Sequence, residues 1–342
     1  MNKKIYPFTA IVGQEKMKKA LMLNVINPKI GGVLIRGEKG TAKSTAVRAL
    51  VEVLPTKEVV KDCPFNCEPN KQNEICDGCK EKIKRNQIYT ERRRMKVIEL
   101  PIGCTEDRAI GTLDIEHAIQ TGEKKFEAGI LAQANGNLLY VDEVNLLNDH
   151  IVDVLLDVAA MGVNHVEREG VSYSHPSHFI LIGTMNPEEG DLRPQLLDRF
   201  GLVVDVFGER NVEDRVRVIQ RRLLFEKDPY EFMEVYKEEQ IKLSQKIEKA
   251  KDILNKVHIE DQLLSLTAEI SIELGVDGHR ADITMIKTAK TIAALNNRKE
   301  VNREDILEAA EFVLPHRMRT LPFEEGVLNK ESLKKWIEGE NL

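Results

Sequence analysis

Short aliphatic runs, each ending in glycine or polar residues, set the pattern of the first two thirds of the chain. Residues 31–36 (Gly-Gly-Val-Leu-Ile-Arg) run into a glycine-bearing stretch, and Thr45-Ala46-Val47-Arg48-Ala49-Leu50-Val51 then has helical spacing. This predicts strand, glycine loop, helix. Residues 138–141 (Leu-Leu-Tyr-Val), 179–182 (Phe-Ile-Leu-Ile) and Leu202-Val203-Val204-Asp205-Val206 are further buried-strand candidates. Helical segments lie between them, such as 148–160 with Ile151, Val154, Leu155 and Val158 on one face. Strands alternating with helices predict an α/β fold: a parallel sheet flanked by helices on both sides.

From Asn211 onward helical patterns dominate. Asn211 can cap a helix over 212–226, with Val212, Val216, Ile219 and Leu223 in register. Residues 231–257 are charge-rich and amphipathic. Residues 261–274 and 282–296 are more apolar, separated by Gly275-Val276-Asp277-Gly278, and Asn302 caps a last helix that stops before Pro315. The expected division is an α/β domain over 1–225 and a smaller all-helical domain over 235–342.

The chain has 342 residues, enough for about two domains. A net charge of −6 argues against a general nucleic-acid binder. No apolar run approaches the ~20 residues needed to span a bilayer. The stretch Met1-Asn2-Lys3-Lys4-Ile5-Tyr6-Pro7 has no signal-peptide character. A cytoplasmic location is expected. One segment departs from the overall charge: residues 80–96 carry eight Lys/Arg against two acids. That stretch is a solvated face of an insertion, or it meets an acidic partner or nucleic acid.

Chemistry concentrates first at Gly37-Glu38-Lys39-Gly40-Thr41-Ala42-Lys43-Ser44, followed by Thr45. This fits the phosphate-loop pattern, with Ala42 where the pattern asks for glycine. Backbone N–H groups must turn inward around phosphates, which needs small residues and permissive dihedrals. The following helix presents its positive end to the anion. Lys43 supplies charge to the β- and γ-phosphates, and the Ser44 hydroxyl ligates Mg²⁺. Alanine at 42 is tolerable if that residue has helical dihedrals. Further on, Leu138-Leu139-Tyr140-Val141 feeds the acids Asp142-Glu143 at the carboxyl end of a buried strand, where open α/β sheets bind ligands. Asp142 would hold Mg²⁺, and Glu143 would accept a proton from the attacking water. A third strand ends in Gly183-Thr184-Met185-Asn186, from which Asn186 can hydrogen-bond that water and the γ-phosphate.

Four of the five cysteines crowd into one excursion, Cys63-x3-Cys67-x8-Cys76-x2-Cys79. In a reducing compartment this points to metal before disulfide. A structural tetrahedral Zn²⁺ suits the spacings. An iron–sulfur cluster, free thiols or a redox switch are the alternatives.

The combination of 37–44, Asp142-Glu143-Val144-Asn145, Gly183-Thr184-Met185-Asn186-Pro187-Glu188-Glu189-Gly190 and Leu196-Leu197-Asp198-Arg199-Phe200 resembles the AAA+ ATPases. More closely, it is similar to the ATPase subunit I family of magnesium chelatases. Phe8-Thr9-Ala10-Ile11-Val12-Gly13-Gln14, Thr105-Glu106-Asp107-Arg108, Gly111-Thr112-Leu113-Asp114-Ile115-Glu116 and His150-Ile151-Val152-Asp153 fit the same family. The similarity covers nearly the whole chain except about 61–95.

The resemblance implies a P-loop NTPase domain followed by a helical lid, and a homo-oligomeric ring, hexameric in the family, with nucleotide between protomers. Arg199 would be the arginine finger and Arg280 a second phosphate sensor, while Ile11 and Val12 match the segment lining the adenine pocket. The implied activity is ATP hydrolysis that drives Mg²⁺ insertion into protoporphyrin IX. The implied partners are an ATPase subunit with an integrin-like domain and a large porphyrin-binding subunit. Two other roles stay open: a cobaltochelatase ATPase subunit, and a MoxR-like remodelling chaperone acting with an integrin-like partner. Leu155-Leu156-Asp157-Val158 resembles the acidic motif that integrin-type domains grip, or is helix core.

Overall fold

A computed structural model describes residues 4–114, 125–168 and 171–318 of the chain. Ile115 and Glu116 of the family motif, Trp336 and the rest of 319–342 lie outside the described residues. The strands are β1 (Val33–Gly37), β2 (Lys57–Val60), β3 (Thr90–Arg93), β4 (Val97–Leu100), β5 (Gly111–Asp114), β6 (Lys125–Ala128), β7 (Leu138–Val141), β8 (Val163–Arg168), β9 (Val171–Pro176), β10 (Ile180–Met185) and β11 (Leu202–Val206). The chain forms two compact units, one from Met1–Thr41 with Arg193–Leu342 and one from Ala42–Leu192.

In the first unit β1 and β11 pair in parallel, Val33 opposite Leu202 and Gly37 opposite Val206. The rest of this unit is helical: Glu15–Ile26, Val212–Lys227, Pro229–Leu254, Asp261–Glu273, Arg280–Leu295 and Arg303–Val313. The caps follow the sequence signals. Asn211 accepts from the Glu213 and Asp214 amides, and Asn302 forms a capping box with Asp305. The stripe expected to seat the helix Val212–Lys227 instead faces outward. Val212 is 75% exposed, Ile219 53% and Leu223 60%, and Phe225 is the helix's buried residue. Phe225 packs edge-on to Tyr6 and Phe232, so a neighbouring face of the helix meets the unit.

In the second unit β7 lies between β4 and β10, parallel to both, with Leu138 opposite Val97 and Ile180. Every residue of β7 and β10 is buried, as a parallel strand covered on both faces requires. The helices Lys43–Glu52 and Asp149–Met161 belong to this unit. Leu155, Leu156 and Val158 are buried as helix core, whereas Asp157 between them is exposed. Three antiparallel hairpins, β2–β3, β5–β6 and β8–β9, have no forerunner in the hydrophobic pattern. Their strands are four to six residues long and mostly polar, β3 reading Thr-Glu-Arg-Arg, so none carries a sustained aliphatic run.

Candidate functional site

The phosphate loop leaves β1 at Gly37, where a Cβ would lie 2.1 Å from the Val206 carbonyl oxygen. Only glycine fits this strand crossing. Gly40 has φ +84°, and the Thr41 hydroxyl donates to the Glu38 carbonyl (2.8 Å), tightening the turn. Ala42 corrects an expectation. It is left-handed, φ 61° and ψ 17°, as the residue preceding the helix Lys43–Glu52. The pattern's glycine is therefore a conformational requirement, and the alanine methyl carries some of the strain that glycine avoids. Lys43 Nζ reaches back to the Met185 carbonyl (3.4 Å), at the end of β10. Ser44 and Thr45 are half-buried in the first turn, and Ile11 is buried beside the half-exposed Val12.

The acid pair sits where the sequence placed it, at the carboxyl end of β7. Asp142 is exposed, and its Oδ1 accepts two hydroxyls, from Tyr140 (2.8 Å) and Thr184 (2.6 Å). Burial pushes the Tyr140 phenol up, so it remains a donor. Thr184 also accepts the Glu143 amide N–H (3.3 Å), and Glu143 itself is left-handed at φ 53°. A single buried hydroxyl on β10 thus aims one acid and fixes the backbone of the next. Sequence reading missed these roles of Tyr140 and Thr184. The available signal was a phenol inside an otherwise aliphatic run. Asn186 is buried at the same strand's end, accepting from the Glu188 amide (3.3 Å). Lys43, Asp142, Glu143 and Asn186 therefore share one end of the second unit's parallel strands.

The two arginines belong to the first unit. Arg199 is half-buried in the turn that precedes β11. Arg280 begins the helix Arg280–Leu295, and its guanidinium meets Asp198 Oδ2 at 2.9 Å. A residue the sequence did not single out holds this turn together. The side chain of Arg317 is 2% exposed, with Nε on Asp198 Oδ1 (3.0 Å) and further donations to the carbonyls of Asp198, Phe200, Gly201 and Val313. Burial pulls its guanidinium down to about 10, against the pull of Asp198.

Cys63, Cys67, Cys76 and Cys79 place their sulfurs within 4.8 Å of one another. Cys63 and Cys76 Sγ are 3.8 Å apart, and the Cys76 amide donates to Cys67 Sγ (3.3 Å). Hydrogen bonds from Cys67 and Cys76 hold the Cys63 thiol well below its ordinary range, whereas burial pushes Cys79 up. A tetrahedron with metal–sulfur bonds of ~2.3 Å has edges of ~3.8 Å, and the Cys63–Cys76 separation of 3.8 Å matches such an edge. A cluster would set several irons and inorganic sulfide between the thiolates and spread them further. The four cysteines pack with Val60, Phe65, Ile75 and Ala132, and Phe65 stacks on His175 at 4.8 Å.

Residues 82–200 match the AAA domain of the dynein-related subfamily, and residues 264–336 match the AAA lid domain. The magnesium-chelatase subunit ChlI homolog of Methanocaldococcus jannaschii is 63% identical over 333 residues, 97% of this chain and 91% of its own. The chain belongs to the magnesium chelatase ChlI family. The ChlI subunit of Euglena gracilis is 51% identical, spanning 98% of this chain and 99% of its own. Among solved structures, a chain in the complex between subunits BchI and BchD of magnesium chelatase shares 43% identity and covers 97% of this chain, with a TM-score of 0.56. A putative ATPase from Cytophaga hutchinsonii, 20% identical at a TM-score of 0.63, shares the fold. The ChlI-family chain is thus an AAA ATPase, with an AAA domain of parallel strands and helices followed by a helical lid. Among the described residues no helix is long and apolar enough to cross a membrane.

Proposed function

We propose that this ChlI-family protein hydrolyses MgATP as a motor subunit, and that the hydrolysis drives Mg²⁺ insertion into protoporphyrin IX on a partner subunit. The observation that carries the reading is the acid pair of Asp142 and Glu143, aimed by Thr184 and Tyr140 beside Lys43. On this reading the main-chain amides of 37–44 grip the triphosphate and Lys43 neutralises its β- and γ-oxygens. Ser44 and Asp142 would hold Mg²⁺, which supplies charge neutralisation on the phosphates. The exposed carboxylate of Asp142, oriented through one oxygen, fits a hard cation. Glu143 takes the proton of the attacking water, and Asn186 positions that water.

Arg199 acts as the arginine finger for a neighbouring protomer's ATP, Arg280 as the second sensor, and Ile11 and Val12 as part of the adenine pocket. A cation delivered in trans ties hydrolysis to assembly. We assign 1–225 to the nucleotide-binding domain and 235–342 to the lid. The uncovered stripe Val212, Ile219 and Leu223 supports a homo-oligomeric ring, of the family's hexameric kind, because a neighbour would remove that apolar surface from water. An ATPase with an integrin-like domain and a large porphyrin-binding subunit complete the assembly, in the cytoplasm. The four cysteines hold a structural Zn²⁺, since four closed thiolate positions leave no open coordination site.

The test is Glu143→Gln in the full chain. We expect retained MgATP binding and a hydrolysis rate lowered by about 10²-fold or more. Unchanged turnover overturns the assignment. Chelation assays with candidate large subunits, offering Mg²⁺ and Co²⁺ in parallel, test the metal: preference for Co²⁺ refutes the magnesium reading.

A further inference from the structure

The basic stretch of the sequence is not used by the proposed ATP site, yet the fold gathers three of its members around a cavity. A cavity of about 320 Å³ in the second unit is lined by Lys57, Arg93, Arg94 and Lys96, with Asn66 and Asn137 among the polar groups between them. No carboxylate lines it. The register of the β2–β3 hairpin sets Lys57 directly opposite Arg93. Like charges facing each other across a ladder destabilise a hairpin, the more so in one this short.

The cations are also held in place. Lys57 Nζ donates to the Gly136 carbonyl with Glu68 3.7 Å away, Arg93 donates to Glu91 and to Asn66 Oδ1 (2.7 Å), and Arg94 meets Glu52 at 3.2 Å. None of these carboxylates is among the residues that line the cavity. Lys96 makes no ion pair among the described residues, and its amide is fixed by Asn137 Oδ1 (3.1 Å). Burial pulls the Lys57 ammonium down to about 8, against the pull of Glu68. A nearby anion would pull it back up. Cys63 and Pro64 form part of the wall, so the cysteine excursion shapes the cavity.

We infer that this cavity binds a small multivalent oxyanion, a phosphate- or carboxylate-bearing molecule, through Lys57, Arg93, Arg94 and Lys96. Two guanidinium forks flanked by two ammonium groups match planar or tetrahedral oxyanions. The volume suits a metabolite-sized ligand. The inference is independent of the ATPase reading.

Isothermal titration tests it, using the full chain with Lys43→Ala so that the triphosphate loop does not compete. Pyrophosphate, inorganic phosphate and citrate are titrated into this protein and into the same protein carrying Arg94→Gln and Lys96→Gln. Both of the latter residues are exposed, so the fold tolerates their change. We expect at least one anion to bind with a dissociation constant below about 1 mM, and the double substitution to weaken it at least about tenfold. Response to the phosphates alone identifies a phosphate ligand, and response to citrate alone a polycarboxylate. Absence of millimolar binding, or binding indifferent to the substitutions, overturns the inference. So does a poly-glutamate peptide that binds where all three small anions fail, because the surface then serves a protein contact.

Discussion

Thr184→Val removes one hydroxyl and leaves the shape of β10 nearly unchanged, since valine is isosteric and suits a buried strand. Three hydrogen bonds go with it, a 3.3 Å contact with the Tyr140 hydroxyl among them. The 2.6 Å bond to Asp142 is charge-assisted and contributes about 1.5–3 kcal/mol, and the Glu143 amide loses a 3.3 Å partner. Every 1.4 kcal/mol lost from transition-state stabilisation is roughly tenfold in rate, so kcat should fall roughly ten- to hundredfold. KM for MgATP should stay within about threefold, because the amides of 37–44 and Lys43, proposed to grip the nucleotide, are untouched. Steady-state ATPase kinetics read both, and thermal unfolding separates catalysis from folding. Thr184→Ser keeps the hydroxyl and should restore most of kcat. Tyr140→Phe removes the other bond to the same Asp142 oxygen, so its effect combined with Thr184→Val should be non-additive. Wild-type kcat in Thr184→Val, or failure of serine to rescue, would refute the argument that this hydroxyl aims the acid pair.

Arg317→Met should destabilise the chain by at least about 2 kcal/mol in urea unfolding, because it removes a buried guanidinium and strips several carbonyl acceptors and a half-exposed carboxylate of their donor at once. Stability equal to wild type would show those bonds to be dispensable. Metal analysis of the purified protein should give about one zinc per chain, and Cys79→Ser should lose it and expose 61–95 to proteolysis. A folded, protease-resistant Cys79→Ser protein without metal would end the structural-zinc reading.

The features legible in the sequence rest on chemistry contained in one short segment. The glycines and lysine of 37–44, the acids after Leu138-Leu139-Tyr140-Val141, and the close cysteine pairs each announce themselves within a few residues. The strand β7 coincides with residues 138–141 for the same reason: a fully buried parallel strand is a plain aliphatic run. The misses depend on distant pairings. Thr184 acts on Asp142 only because β10 lies beside β7 in a particular register, 42 residues away along the chain. Arg317 matters because the turn at 198–201 folds onto it from 119 residues upstream. The stripe on Val212–Lys227 was found correctly as a periodicity, but periodicity alone does not say whether the covering surface belongs to the same chain. Ala42 shows another limit: composition hid a backbone conformation that glycine would have signalled.

The clamp made by Arg317 makes the turn bearing Arg199 and the end of the helix Arg303–Val313 a single mechanical part. Arg317 grips the carbonyl of Val313 with one nitrogen and those of Asp198 and Phe200 with another, so sliding one against the other would break several bonds together. Any tilt of that helix must swing residue 199 with it. Residue 199, the proposed finger, is then the tip of a lever whose handle is the final described helix, and a force applied to the handle repositions the tip without any change in the turn's own conformation.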